Sequence, residues 1–201
     1  SYTGLYIDGD RERTPYEADS YINQLCHYSV DRDFTMARTS IEFIIFNACW
    51  PTEWLLLTIH LAWIDYYYTG DSSFLQRYYK DLKNKSLLPL IDKYGFISTR
   101  TGKITDSLYK SVHLQKDRFP FSFRDNVDYP FPGILGIPET AKGEIDGFVY
   151  TDYNSVINAY FFRTLTMMAE IANVLENKND ATLFQDKANT VKQNFNKHFF
   201  I

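Results

Sequence analysis

Residues 8–19, Asp-Gly-Asp-Arg-Glu-Arg-Thr-Pro-Tyr-Glu-Ala-Asp, put more charge beside a tight turn signal than any other stretch of the chain. Asp-Gly marks a turn and Thr14-Pro15 holds the chain extended, so these residues read as a loop that opens a helix near Tyr16. Clustered carboxyl groups of this kind are candidates for acid/base work. Glu12 lies between Arg11 and Arg13, a setting that keeps a carboxylate ionised unless the arginines point elsewhere. The same pattern also describes a solvated charged loop with helix-capping acids.

The elements that would position this loop are helical. Tyr21, Leu25 and Tyr28 recur at helical spacing over residues 16–30, and the charged residues Asp31 to Asp33 break that helix. A second helix, 34–48, collects Ile41, Ile44, Ile45 and Ala48 on one face. Trp50-Pro51-Thr52-Glu53 then ends one helix and begins another, with Thr52 as the expected N-cap. Residues 53–68 are apolar nearly all round, which predicts an inner helix buried on every side. Gly70-Asp71 closes it, and Ser73 with Gln76 predicts a capping box for a fourth helix reaching about residue 92.

From 95 to 152 helical periodicity is lost. Six glycines alternate there with Pro120, Pro130, Pro132 and Pro138, and the aromatic residues among them argue for an ordered excursion with one short helix at 106–112. A fifth long helix follows at 153–176. Asp180 is the expected cap of a sixth, whose Ala181, Phe184, Ala188, Val191 and Phe195 form a packing seam. The helices pair as inner and outer members of about three hairpins in a single segment, 1–201, with no internal repeat of the common solenoid families.

Composition excludes several functions. The chain has 201 residues, a net charge of -4 and 17% aromatic residues. An acidic chain without a Lys/Arg stripe argues against a nucleic-acid partner. The excess of rings suits a cleft or an interface. The longest apolar run, at residues 54–64, is shorter than the about 20 residues a bilayer needs, and no signal peptide is visible in this segment. Cys26 and Cys49 fall in apolar helical stretches and read as small buried hydrophobes. His27, His60, His113 and His198 are scattered, which disfavours a zinc site. No cofactor motif, P-loop or nucleophilic Gly-x-Ser-x-Gly is present.

With the loop, the Trp-bearing inner helix and the Gly/Pro excursion in place, the chain resembles the bacterial α-L-rhamnosidases, glycoside hydrolase family 78. The family signature is an acidic loop, Asp…Arg-Glu-Arg-x-Gly-Trp-x-Gly-Asp. Arg11-Glu12-Arg13 and Asp19 match it in spacing, with Pro15, Tyr16 and Ala18 as departures and Asp8 or Asp10 as the upstream acid. Trp54, Trp63 and Gly70-Asp71 are similar to a second family pattern, although Leu55-Leu56 replaces its usual Gly-Asp. Asp128-Tyr129-Pro130 is similar to the Asp-Trp of the family's long loop.

The resemblance implies a mainly α fold of the (α/α)6-barrel, six-hairpin type, present here as a partial barrel with a long Gly/Pro/aromatic loop. It implies an inverting hydrolase of terminal α-L-rhamnose, which needs two carboxyl groups roughly 6.5–9.5 Å apart. Glu12 matches the general acid. Asp8 and Asp19 would hydrogen-bond sugar hydroxyls, Tyr16, Trp54 and Tyr129 would stack on the sugar, Trp50 would line the same face, and Arg11 and Asp128 count among the substrate-binding residues, while Trp63 stays in the core. The general base belongs to later helices of the family, so a polypeptide of these residues alone is expected to be inactive and to leave its inner helix partly uncovered. The remaining barrel, and flanking β-sandwich domains, are implied partners, and a periplasmic or secreted setting is favoured. A non-catalytic sugar-binding member of the same fold, or a lyase or hydratase on the same barrel, are the rival readings.

Overall fold

In a computed structural model, residues 4–7, 13–116, 118, 123–127 and 152–200 are described. Among them are seven helices: α1 Glu17–Val30, α2 Thr35–Phe46, α3 Thr52–Thr69, α4 Ser73–Lys85, α5 Asp106–Ser111, α6 Ser155–Val174 and α7 Lys178–Phe199. A single 3-10 turn spans Leu88–Leu90. Extended pairing among the described residues is limited to isolated bridges, Pro51 with Arg124 and Ile91 with Ile97.

The long helices form the hairpins α1/α2, α3/α4 and α6/α7, and α1, α3 and α6 lie side by side as an inner row. Polar contacts fix their register. Gln24 Nε2 donates to the Leu61 carbonyl at 3.1 Å, and the Tyr28 hydroxyl donates to Asp65 at 2.7 Å. Both residue numbers rise together along this ladder, so α1 and α3 run parallel. His60 Nε2 and the Thr164 hydroxyl, 3.1 Å apart, tie α3 to α6.

The apolar periphery of α3 has the consequence expected of it. Residues 55–62 are buried without interruption, and α3 touches α1, α2, α4 and α6. Each fully buried Leu or Ile in that run contributes roughly 1.5–3 kcal/mol relative to exposure. Exposure is greatest at the C-terminal end: Trp63 and Tyr66 are half-buried and Tyr67 is 75% exposed. Trp63 is therefore not a core residue. It lines a groove of about 710 Å³ between α1, α3 and α6, with Tyr21, Tyr67 and Tyr160.

That open end is clamped on its outer side. Asp65, with a fully buried side chain, accepts from Arg38 Nε at 3.0 and 3.1 Å, and Arg38 Nη1 reaches Asp71 at 2.9 Å. Gly70, with φ of 68°, turns the chain left-handed and returns its N–H to the Tyr66 carbonyl at 2.7 Å. A residue with a Cβ is disfavoured in that conformation.

Helix starts differ from the sequence expectation by short offsets. Thr52 is the first residue of α3 and Pro51 its N-cap. The Ser73/Gln76 capping box does not form. Ser72 is the N-cap, and Asp71 Oδ1 accepts the Ser73 N–H at 3.0 Å in its place. Asn177, not Asp180, caps α7. Asp180 is freed to accept from the Tyr79 hydroxyl at 2.8 Å and Lys83 Nζ at 2.6 Å, bridging α7 to α4. α4 ends at Lys85 rather than near 92, because Leu87 takes a left-handed conformation, φ 58°, just before Leu88-Pro89. The seam of α7 holds: Ala181, Phe184, Ala188 and Val191 are buried and Phe195 is half-buried. Of the cysteines, Cys49 is buried and Cys26 is exposed on α1.

The excursion after α4 is pinned to the inner row. Asn158, buried on α6, accepts the Ile97 N–H at 2.9 Å and donates to its carbonyl at 3.2 Å. Gly95 is essential to this path. Its φ is 88°, and a Cβ there would meet Thr190 Cγ2 of α7 at 2.8 Å.

Candidate active site

The N-terminal ends of α1 and α3 and the segment 123–127 meet in one place. Tyr16 is the extended residue before α1, and Trp54 lies in the first turn of α3. Their rings are 5.3 Å apart at 53°. Trp50, just before α3, carries the Arg124 guanidinium over its ring at 5.2 Å. Both tryptophans are half-buried, as is Asp19 in the first turn of α1. Of the residues singled out in the sequence, Tyr16, Asp19, Trp50 and Trp54 are thus placed at this end. Asp8, Arg11, Glu12, Asp128 and Tyr129 lie outside the described residues.

Backbone bonds attach the segment 123–127 to α3. The Thr52 N–H donates to the Arg124 carbonyl at 2.9 Å, and the Arg124 N–H donates to the Trp50 carbonyl at 3.4 Å. Phe123 is buried, and its N–H donates to the Tyr109 hydroxyl of α5 at 3.2 Å.

Three carboxyl groups not assigned from sequence are buried at this end: Glu17, Glu53 and Asp125. Glu17 accepts the Cys49 N–H at 2.9 Å. Burial pushes its carboxyl upward, opposed by the positive charge of Lys85 and Arg118. Glu53 accepts the Asn126 N–H at 3.3 Å. Burial pushes Glu53 up to about 7, with the charges of Asp125 and Glu17 adding to the effect. Asp125 is raised by burial as well, with Arg100 pulling it back. Lys85, fully buried at the end of α4, donates to the Val112 carbonyl at 3.0 Å. Burial pushes it down to about 8, while Glu17 and Asp81 pull it up.

The sequence signal for these residues was weak. Glu17 and Glu53 stand in first turns, where an acid is expected simply to complement the helix dipole. Their burial depends on residues far along the chain: Cys49 for Glu17, Asn126 for Glu53. Among the described residues the raised carboxyls are Glu17 and Glu53 at helix starts and Asp125 in segment 123–127.

Chemically, the patch combines ring faces that can pack on the C–H face of a small polar ligand with one carboxyl, Glu53, that changes charge near neutrality and two more that burial raises. Among the described residues no group of three His, Cys, Asp or Glu is arranged to hold a metal ion. Among the same residues no helix is long and apolar enough to cross a membrane.

The architecture is a mainly helical array of hairpins, consistent with the six-hairpin α/α toroid. Residues 122–201 match the family described as the bacterial alpha-L-rhamnosidase 6 hairpin glycosidase domain. The resemblance read from the sequence is borne out over that stretch, which takes in segment 123–127 of the site together with α6 and α7. Residues 8–19 precede it. No curated protein and no solved structure matches the chain. The matched family is one of glycosidases, which points to a glycoside hydrolase acting on carbohydrate.

Proposed function

We propose that this chain is part of an inverting exo-glycosidase that releases terminal α-L-rhamnose from glycans or glycosides. The observation that carries the reading is the meeting of Tyr16 and Trp54, because it brings the end of the Arg-Glu-Arg loop to the Trp-bearing start of the inner helix. Glu12 is the proposed general acid. Asp8, Arg11, Asp19 and Asp128 hold sugar hydroxyls. Tyr16, Trp50, Trp54 and Tyr129 supply the apolar wall that suits a deoxysugar.

Inversion requires a second carboxyl across the sugar to activate water, and in this reading that base comes from the remaining hairpins of a complete barrel. The chain by itself is then inactive. Turnover of an aryl α-L-rhamnoside by the parent polypeptide tests the assignment. Glu12→Gln is expected to lower turnover by about 10²–10⁴-fold, the usual contribution of a general acid, while rhamnose binding persists. Binding without turnover in the wild type would favour a non-catalytic sugar-binding member of the fold. Turnover unaffected by Glu12→Gln would remove Glu12 from its role.

A further inference from the structure

We propose that Glu53 is a positioning residue of this site: its carboxylate tethers segment 123–127 to the first turn of α3 and so holds Arg124 over Trp50. Glu53 is 5% exposed, and its two oxygens are unequally used. Oε2 accepts the Asn126 N–H, whereas Oε1 is shut off from solvent with no hydrogen-bond partner among the described residues. A buried carboxylate oxygen in that state is costly, and such groups in native structures call for a role beyond filling space. The role visible here is mechanical. Three backbone N–H bonds among the described residues join the segment to residues 50–53, and two of them involve the backbone of Arg124 itself. Of these three, the one from Asn126 ends on a carboxylate; the Thr52 side chain acts on the Asp125 carboxyl beside it.

The groups facing Glu53 make loss of its charge accessible. Glu17 stands on the first turn of α1 and Asp125 belongs to the segment itself, and the charge of each acts on Glu53. Beyond them, Lys85 and Arg118 act on Glu17, and Arg100 acts on Asp125. Burial and the two neighbouring acids hold the Glu53 carboxyl at about 7. Ionised, it binds the Asn126 N–H by a charge-assisted bond; protonated, it holds that N–H more weakly. The segment is therefore held firmly above neutrality and loosens below it, taking the Arg124–Trp50 contact with it.

The inference rests on this end of the fold being the site, and its test needs no sugar. The indole N–H resonances of Trp50, Trp54 and Trp63 are followed from pH 5 to 9 in the intact chain, beside the side-chain carboxyl ¹³C resonance of Glu53. Trp50 is expected to shift with the same midpoint as the Glu53 carboxyl, near 7, and to stop titrating in Glu53→Gln. Trp63, ten residues beyond Glu53 on α3 and roughly 15 Å away along its axis, is expected to stay still and so reports that the fold persists. A Trp50 resonance that does not move as Glu53 titrates overturns the proposal, as does one that titrates unchanged in Glu53→Gln. If the variant fails to fold, the two wild-type midpoints decide. A failure of rhamnoside turnover bears on the proposed function, and a motionless Trp50 bears on the tether.

Discussion

Asp65→Ala is expected to cost about 3–5 kcal/mol of folding stability, the usual penalty for breaking a buried ion pair by removing one partner. For a chain of this size that lowers Tm by roughly 6–20 °C. The Asp65 side chain is fully buried and accepts from both Arg38 and the Tyr28 hydroxyl. Its loss strands Tyr28 without that acceptor and leaves Arg38 held only from the Asp71 and Thr69 side. Asp71→Ala removes an exposed partner and the bond to the Ser73 N–H, so a clearly smaller loss is expected from it. Thermal unfolding of the two variants separates the cases. Equal and small losses would mean that the clamp does not hold α2 against α3.

The pH dependence of stability is expected to be the second large effect, because Glu53 and His60 oppose one another. Glu53 titrates at about 7 in the folded chain against 4.5 for the free side chain. Its contribution is complete below about 4.5 and disappears as pH rises through 7, about 3 kcal/mol in all. His60 is pushed down by burial to about 4 from 6.5. Its contribution is present above about 6.5 and is lost as pH falls through 4, again about 3 kcal/mol. Glu17 and Asp125 are raised in the same sense as Glu53, so the wild type should lose stability between pH 4.5 and 7.

Single variants expose each half of this balance. In Glu53→Gln the slope flattens and the acid-side loss from His60 emerges. In His60→Gln the decline toward neutrality steepens. Urea unfolding at pH 4.5, 5.5 and 7 measures both, and a wild-type slope retained intact in Glu53→Gln would show that Glu53 does not titrate in this range.

Helical periodicity was enough to locate every long helix among the described residues, because apolar spacing is a local property, whereas the short α5 was expected inside a stretch that lacks it. Cap assignment was less secure, and for a physical reason. Thr52, Ser73 and Asp180 all have the right chemistry for an N-cap, yet each stands one to three residues inside its helix. Asp180 is diverted by Tyr79 and Lys83, about a hundred residues earlier in the chain, which no local pattern records. Cys26 and Trp63 were misplaced in a similar way, since a residue on an apolar stretch can still face a groove.

At the site, the rings were easier to read than the acids. Tyr16 and Trp54 stand out by type, and the structure brings them together. Glu17, Glu53 and Asp125 do not stand out, because what makes them unusual is a backbone N–H or a burying segment supplied from elsewhere. Leu87 is a further case: its left-handed backbone, which ends α4 early, is an uncommon conformation for a Leu and is not encoded in its own identity.

The enclosure of α3 sets an order for exchange with heavy water. Its middle amides, at residues 55–62, are surrounded by α1, α2, α4 and α6, so they open only when the whole array comes apart. α7 packs mainly on α6 and reaches α4 through Asp180. Its amides can therefore exchange through a partial opening in which the inner row stays assembled. Mass-resolved exchange is expected to label α7 first and the centre of α3 last. Simultaneous labelling of the two would mean that the hairpins open as a single unit.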